Sequence, residues 1–167
     1  EAARALPEAS LLFVNLHPQD LLDPELADPR APLGRVADRV VLEISERAAL
    51  DEVPQADARV SILRYMGYRF AIDDLGVGNS GIATFARCEP DFVKLDMSLV
   101  RDIELSEPRQ RLVRGLVSLC EELRSTLIAE GVETDDEYKT FKGLGCDLMQ
   151  GYLFARPAAE PPPVHWP

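Results

Sequence analysis

The chain has 167 residues, of which 46% are hydrophobic, and its formal net charge is −11. This length is sufficient for one domain with a sizeable core. An acidic surface repels phosphate backbones, so duplex DNA or RNA is not an expected partner, and a small phosphate ligand would need a divalent cation beside it. No apolar run approaches the roughly 20 residues of a membrane span, and the first residues lack the pattern of a signal peptide.

The cysteines of the chain are Cys88, Cys120 and Cys146, which are widely spaced and form no C-x-x-C pair. This spacing indicates neither a zinc site nor a disulfide framework. We therefore expect reduced thiols, as is usual in a cytoplasmic protein.

Short apolar runs alternate with longer amphipathic segments along the chain. The runs read LLFVNLH (11–17), VVLEIS (40–45), RFAIDD (69–74), FVKLDM (92–97), TLIAEGV (126–132) and DLMQGYLFA (147–155). Continuous rather than alternating hydrophobicity is typical of parallel strands that are buried on both faces. The pattern predicts an α/β fold of βαβ units with a parallel sheet, either an open doubly wound sheet or a barrel.

The segments between these runs carry helix start and stop signals. Ser106 predicts the start of a long helix in which leucines recur at helical spacing. Those leucines are Leu112, Leu116, Leu119 and Leu123. Thr134 and Glu137 form the capping-box pattern of another helix, and Gly67 is typical of the residue after a helix end. The C-terminal segment RPAAEPPPVHWP is rich in proline and predicts an extended tail or linker.

Polar residues stand at or near the carboxyl end of each predicted strand. They are Asn15, Glu43, Asp73, Asp74, Asp96, Glu130 and Gln150. Active sites of parallel α/β folds lie at the carboxyl ends of the strands, so a series of such residues predicts a functional site. Lys94 lies two residues before Asp96 and is therefore expected on the same face of its strand.

Each of these residues also has a purely structural interpretation. Asn15 is suited to a turn, one acid of the Asp73 and Asp74 pair would suffice to cap a helix, and Lys94 is suited to an ordinary buried ion pair. Glu43 is harder to explain in this way, because a carboxylate inside VVLEIS is rarely buried without a partner. As a set they are hard oxygen ligands, which favour Mg²⁺ or Mn²⁺ over zinc or copper.

Adjacent aspartates are suited to two cations about 3.5–4 Å apart, the arrangement used for in-line displacement at phosphorus.

Five segments of the chain form a recognisable series: LLFVNLHPQDLLDPEL, VVLEISER, FAIDDLGVGNSGIATFARCEPDFVKLDMSLVRDI, LIAEGVET and GCDLMQGYLFARP. In this order they resemble the EAL domain family, which hydrolyses the bacterial second messenger cyclic di-GMP to the linear dinucleotide pGpG. The resemblance covers residues 6–157. It implies a TIM-like (β/α) barrel domain over residues 1–157, with a Pro-rich tail at 158–167.

The resemblance implies a metal-dependent cyclic di-GMP phosphodiesterase with a pair of Mg²⁺ or Mn²⁺ ions. The implied metal ligands are Asn15, Glu43, Asp73 and Asp74. Lys94 would orient or polarise the attacking water, and Glu130 would act near that water as general base or ligand.

Further residues would support this site or contact the substrate, again as the resemblance implies. Asp96 and Gln150 would be close supports, and Glu133 would contact a guanine base. Glu46 would anchor the loop that follows Asp74. The implied partners are cyclic di-GMP, a second copy in a homodimer, and a sensory or regulatory domain attached in the parent protein.

The chain departs from the family pattern in two places. It does not contain the Glu-Ala-Leu motif of an early strand, so we expect an incomplete barrel that lacks its early strands and one metal ligand, and is inactive as a fragment. The loop after Asp74 reads LGVGNSGI, where the family usually has FGTGYSSL, and this difference is expected to alter regulation or weaken activity.

Two alternatives to a phosphodiesterase remain open at this point. One is a catalytically inactive EAL-like module that binds cyclic di-GMP or a protein partner. The other is a metal-dependent barrel of the enolase type, in which Lys94 would abstract a proton. The segments DDLGVG and AEGVE are not expected in that second class, which is therefore disfavoured.

Overall fold

The computed structural model describes residues 10–45, 50–76, 85, 88–158 and 162–167. The chain divides into two compact units, each with its own dense set of internal contacts. Unit 1 comprises residues 1–73 and 78–91, and unit 2 comprises residues 74–77 and 92–167. Within the described residues, no helix is long and apolar enough to cross a membrane.

Unit 1 is built around parallel strands that are connected by helical segments. Its strands are β1 (Leu12–Asn15), β2 (Val40–Ser45) and β3 (Arg69–Leu75), the last two residues of which belong to unit 2. Its helical segments are the 3₁₀ helices Pro18–Leu22, Gly34–Arg39 and Leu50–Glu52 and the helix α1 (Ala56–Tyr65). β2 pairs in parallel with both β1 and β3. The continuous apolar runs therefore predicted these strands correctly.

The core of unit 1 lies between the strands and α1. Val40, Leu42 and Ile44 of β2 pack in one buried cluster with Val60 and Leu63 of α1. Burial of β2 is nearly complete because it is the central strand of the three, and apolar side chains on such a strand are removed from water on both faces. The helix α1 ends as predicted, with Gly67 in the left-handed conformation at φ 105°.

Tyr68 is a polar exception in this core. Its side chain is only 2% exposed, its hydroxyl has no hydrogen-bond partner among the described residues, and burial raises its pKa. We expect Tyr68→Phe to leave the free energy of unfolding unchanged or to raise it by up to about 1 kcal/mol, because an unsatisfied buried hydroxyl carries a desolvation penalty.

Urea unfolding of the full chain tests this expectation. Tyr65→Phe is the matched control, because Tyr65 is 94% exposed and its hydroxyl can bind water in both states. Loss of more than about 1 kcal/mol in the Tyr68 variant would contradict the expectation, since it would mean that the hydroxyl contributes a hydrogen bond.

Unit 2 repeats the alternation of strands and helices. Its strands are β4 (Phe92–Leu95), β5 (Thr126–Glu130) and β6 (Leu148–Gln150), and its helices are α2 (Met97–Val100), α3 (Glu107–Glu122) and α4 (Asp135–Gly143). β5 pairs in parallel with β4 and with β6. The capping box of Thr134 and Glu137 is present at the start of α4.

The helix α3 buries a different stripe from the one that its leucines mark. The buried residues of α3 are Val113, Val117 and Cys120. Leu112 and Leu119 are 50% and 45% exposed, and Leu123, just past the helix end, is 50% exposed. The helix itself is therefore as predicted, whereas Leu112, Leu119 and Leu123 of its leucine stripe lie on the solvent side and Leu116 is half-buried.

The cysteines are free thiols, as expected, and all of them are buried. Burial raises the pKa of Cys120 to about 11 and that of Cys146 to about 11. Thiols with such pKa values are almost fully protonated at neutral pH, so they serve as small core residues rather than as nucleophiles or metal ligands.

Candidate functional site

The predicted ligands of unit 1 lie on one face of its sheet. Asn15 is in register with Glu43, and Glu43 is in register with Ala71. Paired residues of parallel strands point to the same side, and Asp73 lies two residues beyond Ala71, so all three polar side chains share that side. Glu43 is 8% exposed. The strands thus carry carboxylate and amide oxygens in one row near their carboxyl ends.

The polar residues of unit 2 are joined by direct contacts. The Nζ atom of Lys94 lies 2.8 Å from Oε1 of Glu130, with side chains that are 8% and 14% exposed. The Nε2 atom of Gln150 donates a hydrogen bond to the same oxygen. Gln150 is also in register with Glu130 on the neighbouring strand. Two donors from two strands therefore hold one carboxylate oxygen of Glu130.

Asp74 brings a second carboxylate to this group. Its backbone is in the left-handed region at φ 58°, which few residues other than glycine adopt and which interrupts the alternation of side chains along β3. One carboxylate oxygen of Asp74 lies within 4.8 Å of one of Glu130. Two carboxylates so close repel each other unless a cation lies nearby. Lys94 supplies one positive charge, and the oxygen donors fit a divalent cation such as Mg²⁺ or Mn²⁺.

The chain turns away from β3 immediately after Asp74. Gly76 has φ 116°, and a Cβ atom at this position would lie 2.7 Å from Cδ1 of Leu99. Glycine is favoured here by the backbone angle, whereas the Leu99 methyl group stands at the end of a flexible side chain and can move aside. The rest of the altered loop, at residues 77–82, and Glu46, its predicted anchor, lie outside the described residues.

Asp96 has a local structural role. Its Oδ1 atom accepts a hydrogen bond of 2.9 Å from the backbone N–H of Ser98, which makes it the N-cap of α2. Its own N–H donates to the carbonyl oxygen of Leu75 at 3.2 Å. Asp96 therefore links the end of β3 with the start of α2, and its predicted part in the site stays a prediction.

A pocket of about 500 Å³ lies in unit 2 beside the Glu130 group. Residues that line it include Met97, Glu133, Gln150, Tyr152, Arg156 and Pro162. The guanidinium carbon of Arg156 lies 4.5 Å from the centre of the Tyr152 ring. Gln150 both lines the pocket and donates to Glu130, so the pocket and the carboxylate have one residue in common.

Glu133 is held at the pocket by a network that the sequence patterns did not single out. Arg101 contacts Oε1 of Glu133 at 2.9 Å and Oε1 of Glu137 at 3.3 Å. The hydrogen bond with Glu133 raises the pKa of Arg101, and Glu137 adds to the shift. Arg101 therefore stays charged and positions the Glu133 carboxylate.

Glu137 is the buried carboxylate on which the donors of this network converge. Its side chain is 1% exposed, and it accepts backbone hydrogen bonds from Asp102, Glu133 and Thr134 at 3.2, 2.8 and 3.2 Å. The capping-box spacing predicted the contact with Thr134. The other donors come from a distant turn and from the pocket wall, which the spacing alone does not reveal.

These observations define an α/β protein of parallel strands with a candidate cation site and an adjacent pocket at the strand ends. Comparison with known proteins gives its family: the chain belongs to the EAL domain family, whose model matches residues 1–157. The prediction of a TIM-like barrel that is incomplete in this chain is confirmed by its likeness to solved EAL domains. One of them is the EAL domain of DcpA from Mycobacterium smegmatis, with a TM-score of 0.82, 26% identity, and coverage of 93% of this chain and 71% of that chain.

Two further comparisons bear on function. The cyclic di-GMP phosphodiesterase NbdA of Pseudomonas aeruginosa is 32% identical over 143 residues, which cover 86% of this chain and 18% of NbdA. The manganese and cyclic di-GMP complex of BlrP1 from Klebsiella pneumoniae at pH 9.0 has a TM-score of 0.78 and 35% identity, over 93% of this chain and 41% of BlrP1. The chain thus spans less than half the length of either of these proteins.

Proposed function

We propose that this chain is the greater part of a metal-dependent phosphodiesterase domain that hydrolyses cyclic di-GMP to pGpG. The observation that carries the proposal is the nearly buried pair of Lys94 and Glu130, which Gln150 connects to the pocket. A buried lysine paired with a carboxylate beside a second acid is costly to maintain, and such groups concentrate at functional sites. The similarity to NbdA and to the BlrP1 complex supports the choice of substrate.

In this proposal, Asn15, Glu43, Asp73 and Asp74 hold a pair of Mg²⁺ or Mn²⁺ ions. The register of β1, β2 and β3 supports the first three ligands, because it places their side chains on the same face of the sheet. The short distance between the Asp74 and Glu130 carboxylates supports a cation beside Asp74. When bound, such ions neutralise the phosphate and lower the pKa of water. They also offset the electrostatic repulsion between an anionic ligand and a chain with a net charge of −11.

The residues of unit 2 would then act directly on the reaction. Lys94 orients the attacking water, and Glu130 accepts its proton as the oxygen–phosphorus bond forms. The bond from phosphorus to the ribose 3′ oxygen breaks, and that oxygen leaves as an alkoxide that takes a proton from solvent, while Glu130 returns its own proton to solvent. Gln150 and Asp96 keep the strand ends in place, and Glu46 is assigned to the loop after Asp74 on sequence grounds alone.

The pocket would bind a guanine base of the substrate. The Glu133 carboxylate, positioned by Arg101, is suited to accept hydrogen bonds from the N1–H and N2–H groups of guanine. Tyr152 and Arg156 offer a flat, cationic wall against which a base can stack. Such a pocket distinguishes guanine from adenine, which carries no donor at N1.

The test uses a complete EAL domain that contains this chain, supplied with Mg²⁺ or Mn²⁺, and follows pGpG formation by chromatography. Asp73→Asn provides the reference, because it removes a proposed ligand charge while keeping the side chain's size. If turnover by the unmodified domain does not exceed turnover by the Asp73→Asn variant, the proposal is wrong.

A second candidate function is an EAL-like module that binds without catalysis. Its support is the loop after Asp74, which reads LGVGNSGI where the family usually has FGTGYSSL. Calorimetric titration with cyclic di-GMP distinguishes the two functions. Tight binding without pGpG formation in the complete domain favours the module, whereas binding followed by turnover favours the enzyme.

We also propose a cytoplasmic location and a parent protein with an attached sensory or regulatory domain. The support is that this chain spans only 18% of NbdA and that its substrate is an intracellular messenger. Fractionation of cells that express the parent protein, with detection by an antibody against this domain, tests the location.

The exposed leucines of α3 support a homodimer. Leu112 and Leu119 lie on the solvent side of the helix, and their exposed fractions are 50% and 45%. Two copies of α3 packed antiparallel across a two-fold axis would bring the same leucines together and cover them.

We therefore expect the double substitution Leu112→Glu and Leu119→Glu to raise the dimer dissociation constant at least about tenfold. Sedimentation equilibrium of the complete domain measures this constant. Ile62→Glu is the matched control, because Ile62 is a 52% exposed apolar residue on α1. A dimer that is equally weakened by the control, or unaffected by the double substitution, would contradict this surface.

A further inference from the structure

The last residues of the chain lie beyond the family match yet contact the candidate pocket. The EAL model ends at residue 157, and of the tail at 158–167 the structure describes residues 158 and 162–167. Pro162 lines the pocket, and the backbone N–H of His165 donates to the carbonyl oxygen of Phe154 at 2.8 Å. The tail is thus attached to the segment that forms the pocket wall.

An aromatic row strengthens this attachment. The ring centres of Trp166 and Phe154 lie 6.1 Å apart, and those of Phe154 and Tyr138 lie 6.0 Å apart in an edge arrangement. Tyr138 belongs to α4, so the row connects the tail to a helix of unit 2. Aromatic pairs at such distances contribute about 0.5–1.5 kcal/mol each beyond simple burial.

We propose that the tail forms a wall of the pocket and that Pro162 is a binding residue that packs against the bound base. The proposal rests on the proposed function, because it takes the guanine of cyclic di-GMP as the occupant. Proline suits this role because its ring is apolar and its backbone is already restricted, so little conformational entropy is lost when a ligand packs against it. The neighbouring Val164 is 50% exposed and is not among the residues that line the pocket.

The first part of the test concerns tail docking and needs no ligand. Trp166 is the single tryptophan of the 167-residue chain, so its time-resolved fluorescence anisotropy reports on the tail alone. A docked tail tumbles with the whole chain and gives a dominant slow component. Phe154→Leu is expected to reduce this component at least about twofold, because the aromatic contact is lost. A dominant subnanosecond decay in the unmodified chain would overturn the proposal.

The second part measures cyclic di-GMP binding in the complete domain with Ca²⁺, the ion present with this ligand in another BlrP1 complex. Ending the chain after Ala158 and, separately, Pro162→Gly should each weaken binding about fivefold, as expected for loss of a small apolar contact. Val164→Ala is the matched control and should bind as the unmodified domain does.

The outcomes separate this proposal from the proposed function. If the unmodified domain binds cyclic di-GMP and both tail variants bind it equally well or more tightly, the pocket-wall role is wrong and the proposed function stands. If the unmodified domain does not bind cyclic di-GMP at all, the proposed ligand is wrong, and the assignment of Pro162 to its base falls with it.

Discussion

Replacement of Lys94 by methionine is expected to lower the rate of pGpG formation in the complete domain by roughly 10²–10⁴-fold. The reason is that Lys94 supplies the positive charge 2.8 Å from Glu130 in a nearly buried setting. Methionine keeps the length and apolar character of the side chain but removes the charge and the hydrogen-bond donors. The measurement is steady-state turnover with the metal and substrate at saturating concentrations.

A control separates catalysis from stability in this experiment. Lys142 forms an ion pair with Asp147 at 2.6 Å, but its side chain is 45% exposed, so Lys142→Met should leave turnover unchanged and alter the free energy of unfolding by less than about 1 kcal/mol. The double substitution Lys94→Met and Glu130→Gln removes both charges of the buried pair. It should recover part of the stability lost in Lys94→Met, because no lone charge remains buried, and recover none of the activity.

Retention of more than a tenth of the activity in Lys94→Met would contradict the assigned role of the lysine. Recovery of activity in the double variant would also contradict it, because the pair would then act only by maintaining the fold.

The second large effect is expected at Gly151, which follows β6. A Cβ atom there would lie 2.1 Å from the carbonyl oxygen of Val132 and 2.3 Å from its nitrogen. These are backbone atoms, and they are themselves fixed, since Val132 N–H donates to Gln150 at 3.0 Å and Leu153 N–H donates to Val132 at 3.1 Å. Gly151→Ala must therefore displace a strand end.

We expect Gly151→Ala to lower the free energy of unfolding by about 2–3 kcal/mol, in the range of overpacking substitutions. It should also weaken cyclic di-GMP binding, because Gln150 and the pocket wall move. Gly115→Ala is the matched control: Gly115 lies within α3 with no atom within 4 Å of an added Cβ, and it should stabilise the chain by up to about 1 kcal/mol. Equal stability of Gly151→Ala and the unmodified chain would show that the backbone contact is not rigid.

The strands could be predicted from the sequence because their signal is local. A run such as VVLEIS is apolar on both faces, and it became a buried central strand. Boundaries were less accurate where a turn intervenes: the run 147–155 contains a strand of only Leu148–Gln150, because the chain then turns, and the N–H of Phe154 donates to the carbonyl oxygen of Gly151 at 3.1 Å.

The packing of α3 shows why helical spacing alone is insufficient. Two apolar stripes lie side by side on this helix, one with Leu112 and Leu119 and one with Val113 and Val117. Periodicity identifies a helix from either stripe, but which of them is buried depends on the strands beneath it. The larger leucines proved to be the more exposed ones.

The contacts of the candidate site depended on register between distant segments. The period of a strand placed Lys94 and Asp96 on one face, yet the lysine pairs with Glu130 and the aspartate caps α2. Glu137 was recognised only as a capping residue, since its buried interaction with Arg101 joins segments that are more than 30 residues apart. Local patterns therefore identified the residue types of the site, and the pairing of strands decided their partners.

Because Gln150 both lines the pocket and donates to Glu130, ligand binding in the pocket and cation binding beside Glu130 are energetically coupled. A ligand that draws the Gln150 amide toward itself withdraws one of the two donors from Glu130 and leaves that oxygen more dependent on Lys94. A cation that changes the position of Glu130 must likewise change the amide that faces the pocket. By reciprocity, the factor by which pocket occupancy changes cation affinity equals the factor by which the cation changes affinity for the pocket ligand.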